Sequence, residues 1–160
     1  MKLNDSNQRK IFASGAVRDI TEGKGRCDLL PLGVIGAVTE DNFYSFIEAY
    51  IRTGETKYMV DALNLFIGQT FGTWETALLE VSKQFEDGAR KYFDRNFEKG
   101  INLHCFVDSA IRHYLKFRRG DNDEPHERAC LWNLLSLLWT HTNHPELNDL
   151  PFTANYGGAI

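Results

Sequence analysis

Sulfur and proline are scarce in this chain, with 3 cysteines, 2 methionines and 4 prolines among 160 residues. Cys27, Cys105 and Cys130 are an odd number without CxxC spacing, which excludes a disulfide framework and a structural zinc site and implies a reducing compartment. Long apolar runs are missing: nothing approaches the roughly 18 residues of a membrane span, and Met1 to Lys10 is polar, so neither signal peptide nor anchor is expected and the location read from the sequence is cytoplasmic. An excess of positive charge is missing too. Lys and Arg number 18 against 22 Asp and Glu, a net charge of -4. The chain therefore has no global attraction to duplex nucleic acid or to an anionic membrane, and any phosphate binding must be local. Walker and GxGxxG strings are absent, which removes the usual P-loop and dinucleotide readings. No stretch alternates with period two over enough residues for a sheet.

What is present reads as helix. The 42% hydrophobic and 25% charged fractions belong to a folded globular chain, and the length suits a single domain over residues 1–160. Residues 1–33 form a glycine-rich, loop-rich arm. Apolar residues at helical spacing predict helices at about 41–52 (Phe43, Phe46, Ile47, Tyr50) and 56–70 (Met59, Val60, Leu63, Phe66, Ile67). The same signal predicts helices at 74–93, 104–119 and 124–142. Asp121 to Pro125 is a turn followed by a helix start, and residues 143–160 form an extended tail that Phe152 and Tyr156 could dock. The expected fold class is all-α, a helical bundle.

Several polar residues fall where core is expected. His126 and Asn133, seven apart, project from the same side as Ala129, Cys130 and Leu137. They either hydrogen-bond neighbouring helix backbone or hold a ligand, since a buried unpaired polar group costs roughly 1–3 kcal/mol. Asp108, Arg112 and His113 lie on the 104–119 helix and Glu86 beside the apolar stripe of the 74–93 helix. The short 120–124 turn should bring Asp121, Asp123 and His126 together. Carboxylates with one imidazole from facing helices are donors for a hard divalent cation, magnesium or manganese before zinc. The bland alternative makes Asp108–Arg112 a surface pair and Asp123 and Glu124 helix-start residues. Cations cluster at Lys24 and Arg26, at Arg90, Lys91 and Arg95, and at Arg112. Glycines beside Lys24 would let backbone N–H groups approach an anion. Against that, residues 80–99 carry five acidic and five basic residues, as an ordinary solvated face does. Cys105, next to His104, is expected to point away from it, and Cys130 to be an inert buried thiol. His141 and His144 are expected to meet the terminal carbonyls of the last helix.

Three sets of strings carry a resemblance. They are Ser14-Gly15-Ala16-Val17-Arg18-Asp19 with Gly23 to Pro31; Phe85-Glu86-Asp87-Gly88-Ala89-Arg90-Lys91-Tyr92 with Arg95 to Gly100; and Asp108 to His113 with Gly120, Asp123-Glu124-Pro125-His126 and Trp132-Asn133. In this order they resemble the phage dATP/dGTP diphosphohydrolase-like family, relatives of the all-α, MazG-like nucleoside triphosphate pyrophosphatases. The resemblance implies a phage protein at work in the host cytoplasm. It would cleave purine deoxynucleoside triphosphates to the monophosphate and pyrophosphate with Mg2+ or Mn2+, and would assemble as a dimer or tetramer.

The resemblance also implies roles. Glu86, Asp108, Asp123 and His126 would hold the metal, with Glu86, Asp108 and His113 catalytic. Lys24, Arg26, Asp28, Lys91, Arg112 and Asn133 would bind substrate, Asp28 by accepting from a purine amine. Residues 75–142 would be the catalytic core. The ExxE and ExxD pairs of the better-known all-α pyrophosphatases do not occur cleanly here. Residues 34–74 look like an insertion of two helices that either builds a dimer surface or reshapes the pocket. A non-catalytic nucleotide-sequestering protein and a purely structural scaffold are the competing functional classes.

Overall fold

The computed structural model describes residues 8–151, so the proposed docking by Phe152 and Tyr156 lies outside the described residues. Six α-helices dominate the described residues: α1 (Leu32–Thr39), α2 (Asn42–Thr53), α3 (Thr56–Thr70), α4 (Trp74–Lys91), α5 (Leu103–Arg119) and α6 (His126–Asn143). The all-α class holds, with a small exception in the arm. There β1 (Arg9–Ile11) and β2 (Val17–Asp19) pair antiparallel, Arg9 opposite Asp19 and Ile11 opposite Val17. Three residues per strand are too few to show an alternation, so the hairpin was invisible to pattern reading. Gly15, at φ 91°, makes its turn, and the Asn96 side chain completes its outer edge by accepting from Val17 N (2.8 Å) and donating to Val17 O (2.7 Å).

Helix ends follow local chemistry. Asp41 caps α2 by accepting from Phe43 N at 3.0 Å, and Thr73 caps α4 by accepting from Thr76 N at 3.2 Å. Gly54 and Gly120 close α2 and α5 in the left-handed conformation. α1 is the helix that the sequence did not predict. It is apolar nearly throughout, so no stripe marks it, and its Gly36 sits so close to α2 that an added Cβ would lie 2.3 Å from Ser45 Oγ and 3.0 Å from Ser45 N. The 34–74 segment thus contributes three helices rather than two.

Those helices are structural members of the core. Phe43 of α2 stacks on Tyr114 of α5 with ring centroids 4.0 Å apart, Phe66 of α3 packs against both, and the Tyr114 hydroxyl donates to Asp41 Oδ2. Tyr50 of α2 meets His141 Nδ1 of α6 at 2.7 Å, so His141 serves an interhelical contact rather than the end of its own helix. α5 and α6 make the most extensive interhelical contact, along Phe106, Ala110, Ile111, Leu131 and Leu134. Each such large apolar side chain withdrawn from water contributes roughly 1.5–3 kcal/mol. α4 packs on α6, and the arm is fastened to α5 by its 3-10 turn Cys27–Leu29. The result is a cleft with β2 and the arm on one side and α4, α5 and the start of α6 on the others. No described helix is long and apolar enough to cross a membrane.

Candidate active site

The cleft encloses about 530 Å³. Its walls carry five cationic side chains, Arg18, Lys24, Lys91, Arg112 and Lys116, against two acidic ones, Asp19 and Glu124. Lys24 and Lys116 have no ion-pair partner among the described residues, whereas Lys91 bonds Asp19 Oδ2 at 2.5 Å and Asp19 is shared further with Arg9 and the Tyr92 hydroxyl. The chain as a whole is acidic, so this concentration of positive charge is local and suited to a polyanion.

Arg18, which the sequence reading gave no role, is the most unusual of the five. The residue is half-buried, and its guanidinium lies 5.5 Å from the Phe106 ring centroid and 5.9 Å from that of Trp132 and donates through Nη2 to Ser109 Oγ (2.9 Å) and Asn133 Oδ1 (3.1 Å). Burial works against its charge and lowers its pKa. Its Nη1 has no hydrogen-bond partner, so a buried cationic donor stands ready for an acceptor. Asn133, expected among the substrate-binding residues, lines the cleft but spends its side chain on Arg18 and on Ala129 O (2.8 Å).

Arg112 and Asp108 form a pair, and it is buried rather than exposed: Arg112 Nη2 reaches both Asp108 oxygens at 2.6–2.7 Å and Gly25 O at 2.6 Å. Asp108 also accepts from Cys27 N at 2.7 Å. Its carboxylate is therefore occupied in tying the arm to α5. Arg26 and Asp28 bond each other twice, at 2.7 and 2.8 Å, and neither lines the cleft, so Asp28 is not placed to meet a base there. Glu86 projects outward, 60% exposed, and pairs with Arg90 at 2.9 Å.

His113 and Glu124 of the cleft wall converge with the fully buried His126. His113 of α5 places Nδ1 2.9 Å from His126 Nδ1 of α6, and Glu124 Oε1 lies 3.4 Å from the first and 3.5 Å from the second. Asp123 Oδ1 meets the opposite face of the pair at 2.7 Å from His126 Nε2. Asp121, Asp123 and His126 form a second group, and within each group the candidate ligand atoms lie inside 4.8 Å of one another. Burial, then the neighbouring His126 and the cations Lys116, Arg18 and Arg112, push the His113 pKa down to about 3. Its imidazole is neutral at physiological pH, the form that ligates a metal. Bonds of about 2.1 Å put neighbouring donors of a first-row ion roughly 3.0–3.4 Å apart, so the trio fits a divalent metal.

Of the four metal ligands expected from the sequence, then, Asp123 and His126 come together, while Asp108 and Glu86 are placed elsewhere. The members that take their place are His113, expected to be catalytic, and Glu124, read as a helix-start residue. The donor set holds two imidazoles instead of one. Cys105 also departs from expectation: its Sγ lies 3.6 Å from His104 Nε2, and the His104 ring bonds Asp149 on its other side. The His144 ring reaches Glu98 O, while its backbone N–H bonds Thr140 O at the end of its own helix.

No curated protein and no solved structure matches the chain. A family described as "dATP/dGTP diphosphohydrolase, N-terminal" matches residues 48–150, about two thirds of the length. The match leaves the arm outside and takes in α3 to α6, with the His113, Glu124 and His126 cluster and the cations of α4 and α5. On that match the chain belongs to the dATP/dGTP diphosphohydrolase, N-terminal family.

Proposed function

We propose that this protein hydrolyses purine deoxynucleoside triphosphates, dATP and dGTP, between the α- and β-phosphates to yield the monophosphate and pyrophosphate. The observation that carries the reading is a cleft with an excess of cations whose wall includes convergent imidazole and carboxylate donors. Lys24, Lys116, Arg112 and the unpartnered Nη1 of Arg18 neutralise and orient the polyphosphate, and Lys91 joins them while anchored to Asp19. His113, Glu124 and His126 would hold the divalent ion, with Asp123 fixing the orientation of His126 from behind. An ion held there would supply Lewis-acid polarisation of a phosphoryl oxygen and a more acidic attacking water. With two imidazoles in the set, manganese suits the site better than magnesium, whose preference is for oxygen donors. His113, held neutral and weakly basic by burial, is a ligand in this scheme rather than the proton acceptor.

Incubation with dGTP or dATP and Mn2+ should release pyrophosphate and the monophosphate, read by product mass, with weaker turnover in Mg2+. Release of tripolyphosphate would overturn the bond assignment. Tight nucleotide binding without any product would make the protein a nucleotide-sequestering one.

A further inference from the structure

A second cavity, of about 330 Å³, opens beside the cationic cleft and shares Gly88, Tyr92 and Trp132 with it. Its chemistry is the opposite of its neighbour's. Phe85, Phe93 and Phe97 complete an aromatic wall with Trp132. The rings of Phe85, Phe97 and Trp132 form a triangle with centroid separations of 5.7, 5.9 and 6.0 Å. Among the described residues the one cation on its walls, Arg95, is paired with Glu98 at 2.7 Å. A cationic chamber joined to an aromatic one fits a ligand that is polyanionic at one end and a flat heteroaromatic ring at the other. A two-ring base covers more of the aromatic wall than a one-ring base does.

Gly88 supplies the second observation. It lies inside α4, where glycine is less favourable than alanine. Its backbone is not in a left-handed conformation that would demand glycine, and an added Cβ would meet nothing within 4 Å. Neither conformation nor packing explains the missing side chain. What it does leave is open space where the two cavities share a wall. Trp132 links them as well, with the Arg18 guanidinium 5.9 Å from its ring centroid.

We infer that the aromatic slot takes the purine base of the nucleotide whose phosphates lie in the cleft, and that Gly88 is the gap through which the nucleotide spans both. The inference rests on the phosphate reading given under Proposed function. Two variants test it. Gly88→Leu fills that open space and Phe93→Ala removes a wall of the slot. Their affinities for the α,β-methylene analogue of dGTP and for tripolyphosphate are measured by titration calorimetry with Mn2+, and a thermal unfolding midpoint shows that each variant is folded. Both variants should weaken the dGTP analogue by about fivefold or more, the low end of what base–aromatic stacking contributes. In Phe93→Ala, whose side chain does not line the cleft, tripolyphosphate binding should stay within about twofold of wild type. An unchanged affinity for the analogue in both variants overturns the slot assignment, and so does equal weakening of both ligands in Phe93→Ala. If the wild-type chain binds neither ligand, the phosphate reading fails first and the slot with it.

Discussion

The decisive residues are those whose neighbours differ from what their spacing announces. Asp108 and Arg112, four apart on α5, have the spacing of a routine surface pair, yet both side chains are buried and Asp108 also receives the Cys27 amide. Removing one partner of a buried pair strands the other, so Asp108→Ala should cost about 3–5 kcal/mol in urea unfolding. A loss under about 1 kcal/mol would show that the pair is solvated like a surface pair. Glu86 and His126 make a sharper contrast. Glu86 is exposed and bonded to Arg90 of its own helix, so Glu86→Gln should keep stability within about 0.5 kcal/mol and turnover within about twofold. His126 is fully buried between His113 and Asp123. His126→Ala should lower turnover by more than the roughly 10- to 100-fold seen for outer-shell partners of a metal, with manganese affinity falling in parallel. Equal activity losses for the two variants would refute the placement of the site.

At the level of the element, two helical glycines should respond in opposite directions to the same added methyl group. At Gly36 in α1 an added Cβ would have Ser45 Oγ, Ser45 N and Asp41 O within 2.3–3.1 Å, so Gly36→Ala forces α1 away from α2. The expected cost is the roughly 1–3 kcal/mol of overpacking. At Gly88 in α4 it would meet nothing, so Gly88→Ala should raise stability by about 0.4–1 kcal/mol, because alanine restricts the unfolded chain and favours helix. Thermal unfolding of the two variants side by side checks both signs. The helices themselves were legible in the sequence wherever an apolar stripe ran through polar residues: α3 starts and stops at the predicted positions, and the caps Asp41, Gly54, Thr73 and Gly120 lie within two residues of the predicted bounds. α1 and the hairpin were not, because an all-apolar octet has no stripe and a three-residue strand has no period.

For the whole molecule, among the described residues a titratable contact ties the chain beyond α6 to the start of α5. Asp149 accepts from His104 N at 3.0 Å and bonds the His104 ring, whose other nitrogen faces Cys105 Sγ. The hydrogen bond to Asp149, then that to Cys105, raises the His104 pKa to about 10. Asp149 is lowered in turn, its bonds from His104 overcoming the opposing effect of burial. A histidine raised above its unfolded value of about 6.5 contributes fully below that pH and loses its contribution as pH rises toward 10. A carboxylate lowered below its unfolded value of about 3.9 contributes above that pH and loses its contribution in acid. The contact should therefore be strongest between about pH 4 and 6.5. Amide exchange in the segment after Asn143 should accelerate from pH 6.5 to 10 beyond the intrinsic base-catalysed rate. His104→Gln should abolish that excess, and an excess that persists in His104→Gln would assign the pH effect to another group.

The sequence by itself determined the all-α class, five of the six helices with nearly their observed bounds, and the meeting of Asp121, Asp123 and His126 across a short turn. These features follow from hydrophobic period, capping chemistry and chain proximity, all local in sequence. It also held the strings that mark the family. Only the tertiary structure decided which charges are spent and which remain available, because that depends on partners far away along the chain. Asp108 is occupied by the arm, Arg18 is packed against α5 and α6 with one donor left over, and His113 joins His126 across the helix pair. A side chain's spacing gives the face it occupies on its own helix, whereas its charge state and its spare hydrogen-bonding capacity are set by whatever the rest of the fold packs against that face.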